Sequence, residues 1–148
     1  RDLHNDARRQ RQMCIKDRAY TVSDLDSARQ FYGELLGCKE GRSSDTWVDF
    51  NFFGHQLSLH VGESGYRSNT NSKVDDVSVP MPHFGCVLEW NSFHDLSTRL
   101  QSKGLTFIIS PSVRFKGLAG EQVTMFFEDF SGNALEFKAY KNPSEVFS

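Results

Sequence analysis

The fold prediction rests on two runs of the sequence, Pro82-His83-Phe84-Gly85-Cys86-Val87-Leu88 and Ser131-Gly132-Asn133-Ala134-Leu135-Glu136-Phe137. Both runs alternate with a period of two residues, which is typical of half-buried β-strands. His83 lies on one face of the first run, and Glu136 shares a face with Lys138 in the second. If the strands lie side by side, an imidazole and a carboxylate converge, as in a divalent metal site. A strand histidine is more often a hydrogen-bonded core residue, so the prediction depends on a repeat that relates the two runs.

Length and composition favour one globular domain without a polyanionic or lipid partner. The chain has 148 residues, 13 of them Phe, and a formal net charge of −2. This charge gives no electrostatic reason to expect nucleic acid or membrane binding. No apolar run approaches the roughly 20 residues of a membrane helix. Three cysteines without CxxC spacing indicate reduced thiols and a cytoplasmic location.

The first half of the chain predicts a strand, a helix and two further strands. Residues 1–14 read as a poorly structured tail, and residues 15–148 as a single domain whose first module spans about 15–62. A stripe of Leu25, Ala28, Phe31, Tyr32, Leu35 and Leu36 marks the helix, which Ser23 or Asp24 caps and Gly37 ends. The predicted strands are Ile15–Val22, Thr46–Phe53 and Gln56–Val61. The segment from about residue 63 to residue 81 is rich in Gly, Ser, Asn and Asp, which predicts a linker.

The second half, about 82–140, repeats this order. Strand Phe84–Leu88 precedes a helix from about Ser92 to Ser102, capped near Asn91 and stopped at Gly104. Its apolar stripe is Phe93, Leu96 and Leu100. The strands predicted to follow are Leu105–Ile109, Val123–Glu128 and Asn133–Ala139.

Alignment of the two halves predicts a pair of βαβββ modules. Residues 53–58 lie over residues 131–136, and Val22 lies over Leu88, which places Asp17 over His83. Neither module can bury its sheet face alone, so the two should pair. The expected fold is α+β, with the paired modules forming a curled mixed sheet around a central pocket. Whether modules pair within one chain or by exchange in a homodimer stays open.

These motifs resemble the vicinal oxygen chelate superfamily, which includes glyoxalase I, fosfomycin- and bleomycin-resistance proteins and type I extradiol dioxygenases. The resemblance covers about Ala19 to Tyr140. The segments at 22–32, 35–37 and 82–85 resemble the family's first strand, first helix and second-module entry strand. The segment at 129–136 resembles its terminal aspartate-x-x-glycine…glutamate motif. Segments 41–44, 53–56, 113–117 and 120–122 resemble a bacterial branch usually labelled dioxygenase-like.

The resemblance implies three metal ligands, of which two match. His83 and Glu136 stand at the second and third positions, whereas the first falls on Asp17 instead of histidine. Two histidines and a carboxylate suit non-haem Fe(II), but one imidazole with two carboxylates shifts selectivity toward Mn(II) or Mg(II). Zn(II) or Ni(II) would serve isomerisation. Alternatively Asp17 binds no metal, and His4 or water takes its place.

Further site residues follow from the repeat and from charge. His60 shares a face with Ser58, the counterpart of Glu136, so it is a candidate acid/base, or else a hydrogen-bonded rim residue. Arg114 is a candidate for neutralising an anionic substrate, although a salt bridge or a solvated strand edge is the more common role of a surface charge. Phe126 is a candidate pocket residue. It stands on the strand where extradiol enzymes typically place a tyrosine, and Met125-Phe126-Phe127 offers no hydroxyl.

Two classes of function remain after these arguments. The first is a metal-dependent, dioxygenase-like oxidoreductase that acts on a small aromatic or vicinally oxygenated substrate. The second is a metal-free small-ligand-binding module of the bleomycin-resistance type. A glyoxalase I-type lyase is a further alternative that depends on the superfamily-wide resemblance alone.

Overall fold

The structure is a computed structural model that describes residues 14–63, 70–74 and 76–148. The expectations placed on residues 1–13, including the tail and His4, lie outside the described residues.

Each half of the chain contributes one strand, one helix and three strands, and a hairpin joins the halves. The first helix, α1, is α-helical over Leu25–Ala28 and continues as a π-helix over Arg29–Leu35. The second, α2, spans Trp90–Ser102, and a 3-10 helix spans Pro143–Phe147. The strands are β1 (Asp17–Val22), β2 (Lys39–Ser43), β3 (Trp47–Phe52), β4 (His55–Val61), β5 (Thr70–Val74), β6 (Val77–Met81), β7 (Phe84–Val87), β8 (Ile109–Arg114), β9 (Gln122–Glu128) and β10 (Ala134–Tyr140).

The sheet topology confirms the predicted α+β fold of paired βαβββ modules. The first sheet has the order β1-β4-β3-β2 and the second β7-β10-β9-β8, and β5 pairs with β6 separately. In each sheet the first strand in chain order runs parallel to its neighbour, the last strand in chain order: β1 to β4, and β7 to β10. Ala19 pairs with Ser58, and Gly85 pairs with Glu136. The register therefore places Asp17 and His83 at corresponding positions, as the repeat predicts.

The two modules share one apolar core on the helix-bearing side of the sheets. The predicted stripes of both helices contribute to it, and so does the inward face of β10. Its fully buried large side chains include Phe31, Tyr32, Phe50, Leu57, Leu59, Phe93, Leu100, Met125, Phe127, Leu135 and Phe137. Between modules, the Tyr20 and Phe84 rings stack with centroids 4.1 Å apart. The Asn133 side-chain amide also donates to the Thr21 carbonyl at 2.9 Å.

Helix ends differ slightly from the prediction. Asp24, not Ser23, caps α1: its carboxylate accepts a hydrogen bond from the Ser27 amide at 2.7 Å. The second helix begins after Glu89 without a side-chain cap hydrogen bond, so the predicted cap near Asn91 is wrong. Asn91 already lies inside the helix, because the chain turns helical at Trp90.

Three strand predictions need correction. The interval read as a linker contains the β5–β6 hairpin, whose alternating Val77, Val79 and Met81 were hidden by polar neighbours and Pro80. Residues 105–107 form no strand, and β8 instead runs past Pro111. That proline lies between Ile109 and Ser112, where the register with β9 shifts, so its missing N–H interrupts no regular ladder. Strand β2 has no apolar alternation and is exposed throughout, so its sequence gave no strand signal.

No helix in the described part of the chain is long and apolar enough to cross a membrane.

Candidate functional site

The structure brings His83 and Glu136 together. His83 immediately precedes β7, and Glu136 lies on the neighbouring parallel strand β10, opposite Gly85. The His83 Nε2 atom lies 3.3 Å from Glu136 Oε2, and both side chains are mostly buried. Parallel pairing therefore places an imidazole against a carboxylate, as the alternation of the two runs predicts.

Two residues outside the predicted site, Lys138 and Thr124, complete this cluster. The Lys138 ammonium lies 3.2 Å from Glu136 Oε2. The Thr124 hydroxyl donates to Glu136 Oε1 at 3.0 Å. Lys138 follows Glu136 by two residues, so the period-two alternation already placed both on one face. We call this face, with His83, Thr124, Glu136 and Lys138, the outer face of the second module.

The electrostatics of the cluster favour charged partners. The hydrogen bond to Glu136 raises the pKa of His83 above its ordinary value, although partial burial and the Lys138 charge oppose the rise. Burial by itself would raise the pKa of Glu136, but the bonds from His83 and Lys138 hold it below its ordinary value. Glu136 is therefore an ionised acceptor held between two cationic donors.

The hydrogen-bond partners of the imidazole favour its doubly protonated form. His83 Nδ1 lies 2.8 Å from the Pro80 carbonyl oxygen. That oxygen can only accept, so Nδ1 carries a proton. Nε2 in turn faces a carboxylate, which also only accepts. An imidazolium satisfies both contacts, in agreement with the raised pKa.

The donor set does not fit the predicted three-ligand metal centre. Among residues 14–63, 70–74 and 76–148, no group of three or more His, Cys, Asp or Glu side chains is arranged to hold a metal ion. Glu136 Oε2, the oxygen that faces His83 Nε2, is also paired with the Lys138 ammonium. A metal would have to displace this ammonium and the proton on His83 Nε2, leaving only two protein ligands.

Asp17 and His60 lie on the first module and do not join the pair. Asp17 is exposed at the start of β1, opposite Gln56. Asp17 and His83 occupy corresponding positions of the repeat but belong to different sheets. His60 is exposed on β4, with its ring 6.3 Å from that of Trp47. In the repeat it corresponds to Lys138, not to a ligand.

The first module carries a different polar cluster at the corresponding place. Ser58, the counterpart of Glu136, donates to the buried Asp49 carboxylate at 2.5 Å. Gln56 donates to the other Asp49 oxygen at 3.2 Å, and the Arg42 guanidinium lies 3.9 Å away. The acid thus comes from β3 in this module, and its hydrogen bonds fix it as a structural group. The one sequence feature that could have predicted this cluster is the pairing of Asp49 with Ser58 on adjacent strands.

Arg114 and Phe126 flank the outer face in different ways. The Phe126 ring is buried and meets the His83 ring edge to face, with centroids 5.1 Å apart. Arg114 donates to the Val74 carbonyl at 3.0 Å, which ties β8 to the hairpin. A cavity of about 450 Å³ opens there, lined by Val77, Ile109, Ser112, Val113, Arg114, Phe115 and Thr124. Thr124 connects this cavity to Glu136.

The coupling of His83 and Glu136 predicts a pH dependence. A raised pKa means that the stabilisation through His83 is complete below pH 6.5 and is lost as pH rises through the folded-state pKa. A lowered pKa means that the Glu136 contribution is complete above pH 4.5 and is lost as pH falls through its folded-state pKa. The pair should therefore stabilise the fold most between these two ordinary values.

We expect Glu136→Gln to shift the titration of the His83 ring to lower pH, because it removes the largest cause of the raised pKa. Nitrogen-detected NMR of the imidazole across pH 4–9 measures this. Glu128→Gln removes the same charge from the end of β9 and should leave the His83 titration in place. Equal titrations in the wild type and in Glu136→Gln would contradict the coupling.

Two four-stranded sheets built from repeated βαβββ modules, with a polar cluster on one sheet face, define a class of small paired-module proteins. The chain belongs to the Glyoxalase/Bleomycin resistance protein/Dioxygenase superfamily, whose family model matches residues 15–137. This match confirms the resemblance seen in the sequence.

Individual relatives agree with this membership. A glyoxalase/bleomycin resistance protein/dioxygenase from Alicyclobacillus acidocaldarius is 31% identical, with a TM-score of 0.75 over 92% of this chain and 98% of that one. The virulence protein STM3117 of Salmonella typhimurium is 24% identical over 122 residues, 81% of this chain and 79% of that protein. The lactoylglutathione lyase of Agrobacterium tumefaciens has a TM-score of 0.62 at 17% identity, over 86% of this chain and 93% of that one, and shares the fold alone.

Proposed function

We propose that the outer face of the second module binds a small organic anion without a metal ion. The observation that carries the proposal is the Lys138 ammonium, 3.2 Å from the Glu136 oxygen that also faces His83. A fixed cation already neutralises the carboxylate that a metal would need. With His83 protonated, the cluster has two positive charges and one negative charge, so it attracts an anion.

The neighbouring cavity supports a ligand with an apolar body. Val77, Ile109, Val113 and Phe115 supply most of its lining, and Arg114 adds a further cation. Its volume of about 450 Å³ falls in the range of small-ligand sites. An aromatic carboxylate combines both requirements, with the ring in the cavity and the charge toward Lys138.

A second candidate function is a metal-dependent, dioxygenase-like enzyme that uses Fe(II) or Mn(II), or a lyase that uses Zn(II) or Ni(II). One observation favours it: the Pro80 carbonyl holds His83 Nδ1, which orients Nε2 toward Glu136. Such an outer hydrogen bond is characteristic of metal-ligating histidines. Loss of the Lys138 contact would be required first.

Salicylate binding in the presence and absence of EDTA separates the two functions. We expect isothermal titration to give the same affinity in both buffers, and Lys138→Met to weaken binding about tenfold, as for the loss of a charge-assisted hydrogen bond. Lys39→Met, on the exposed strand β2, is the matched control and should not change the affinity.

The opposite result is equally definite. Near-stoichiometric metal in protein purified without chelator, lost in His83→Ala and accompanied by EDTA-sensitive binding, would contradict the metal-free site and favour the enzyme. The identity of the metal would then separate oxygen chemistry from isomerisation.

A further inference from the structure

A second cavity lies away from the outer face, between α1 and the segment that follows α2. Its volume is about 660 Å³, within the range of small-molecule sites. It is lined by Gln30, Glu34, Leu35, Lys103, Gly104, Leu105, Thr106, Phe107, Ile108, Glu128, Asp129 and Phe130. None of these residues belongs to the cluster of His83, Thr124, Glu136 and Lys138. We call this cavity the α1 groove.

Aromatic and aliphatic side chains form the apolar part of the α1 groove. Phe130 is 55% exposed although its ring rests edge-on against Phe31, with centroids 5.1 Å apart. Phe107 is half-buried and meets Phe127 edge to face at 5.9 Å. Ile108 is 45% exposed on the rim. Apolar groups this exposed around one cavity are typical of ligand sites.

The charges of the α1 groove favour a cation. Glu34 on α1 and Glu128 at the end of β9 are exposed carboxylates in its lining, and Lys103 is the single basic side chain there. The Asp129 carboxylate does not add to them, because it is buried and accepts hydrogen bonds from Tyr32, Ser131 and Asn133. The excess of accessible charge is therefore negative.

We infer that the α1 groove binds an organic cation with an apolar body, such as an alkylated or quaternary ammonium compound. Aromatic rings attract such cations through their negative faces, and carboxylates add ionic attraction that does not require a hydrogen-bond donor. Phe107 and Phe130 supply the rings, while Glu34 and Glu128 supply the charge. The α1 groove shares no residue with the outer face, and its preferred ligand is a cation where the outer face prefers an anion. The inference therefore does not depend on the proposed function.

The test titrates the full chain with benzyltrimethylammonium as the probe and with 3-phenyl-1-propanol as an uncharged comparison. NMR of the backbone amides measures the binding of each. We expect the cation to shift the amides of Leu105, Phe107 and Phe130, and to bind more tightly than the alcohol. Glu34→Gln and Glu128→Gln should each raise the dissociation constant about two- to fivefold. Phe130→Leu, which keeps an apolar side chain, should do the same through loss of the ring.

Glu89→Gln is the matched control, because it removes an exposed carboxylate from the residue that precedes α2, outside the groove. It should leave the dissociation constant unchanged. Equal binding of the alcohol and the cation would overturn the inference. The same would follow if Glu34→Gln and Glu128→Gln behaved like Glu89→Gln, or if the cation shifted the amides around His83 instead.

Discussion

Replacing Gly85 by alanine should prevent the second module from folding as it does in the wild type. A Cβ atom on residue 85 would lie 1.6 Å from the Glu136 carbonyl oxygen and 2.6 Å from its carbonyl carbon. Both are backbone atoms of the paired strand, so no side-chain rotation relieves the overlap. Strands β7 and β10 would have to separate, and we expect a loss of at least about 4 kcal/mol in the free energy of unfolding.

Gly33→Ala provides the matched control for this variant. A Cβ atom there meets only Phe50 Cε1 at 3.7 Å, an ordinary van der Waals contact. Alanine in a helix interior is favoured over glycine, so this variant should be as stable as the wild type or up to about 1 kcal/mol more stable. Urea unfolding of both variants measures the difference, and if Gly85→Ala is insoluble, a soluble yield far below that of Gly33→Ala gives the same result. Similar midpoints for Gly85→Ala and the wild type would contradict the close approach of the strands.

Asp129→Ala should cost about 3 kcal/mol, because its carboxylate joins the two modules inside the core. It accepts from the Tyr32 hydroxyl on α1 at 2.8 Å, and from the Asn133 side-chain amide at 2.8 Å. Both donors are buried, so without the carboxylate each is left without an acceptor and cannot bond to water instead. The backbone amides of Ser131 and Asn133 lose the same acceptor, each from 2.9 Å.

A double-mutant cycle with Tyr32→Phe isolates the bond between the modules. Tyr32→Phe alone should cost about 1.5 kcal/mol, since Asp129 keeps its other donors. The double variant should lose less stability than the sum of the two single-variant losses, because the shared bond is removed only once. Asp95→Ala, an exposed carboxylate on α2, should change stability by less than about 0.5 kcal/mol. Full additivity would show that the Tyr32–Asp129 bond contributes nothing.

The apolar patterns of the sequence predicted most of the fold. The stripes on both helices are buried, as Phe31 and Phe93 illustrate. The alternation in β10 correctly separates Leu135 and Phe137, which are buried, from Glu136. The repeat register was also right, since Ala19 and Gly85 take equivalent pairings. Burial of one face of each element imposes these patterns, so they can be read locally.

Elements without an apolar face were missed for the same reason. Strand β2 is exposed along its whole length, and the β5–β6 hairpin combines polar residues with Pro80. The predicted strand Leu105–Ile109 overlaps β8 only at Ile109, because β8 begins there and continues through Pro111 to Arg114. Backbone hydrogen bonds stabilise these segments. Because such bonds constrain the choice of side chains only weakly, the sequence pattern does not reveal them.

The superfamily fold and the proximity of His83 to Glu136 are predictable from the sequence, because both follow from periodic burial and from parallel pairing of adjacent strands. The chemistry of this pair depends on the tertiary structure. The contact between Lys138 and Glu136 rests on a distance of 3.2 Å, and the proton on His83 Nδ1 rests on a distance of 2.8 Å to the Pro80 carbonyl oxygen. Alternation assigns a residue to a face, but the position of its charged atoms on that face is set by packing from several elements at once.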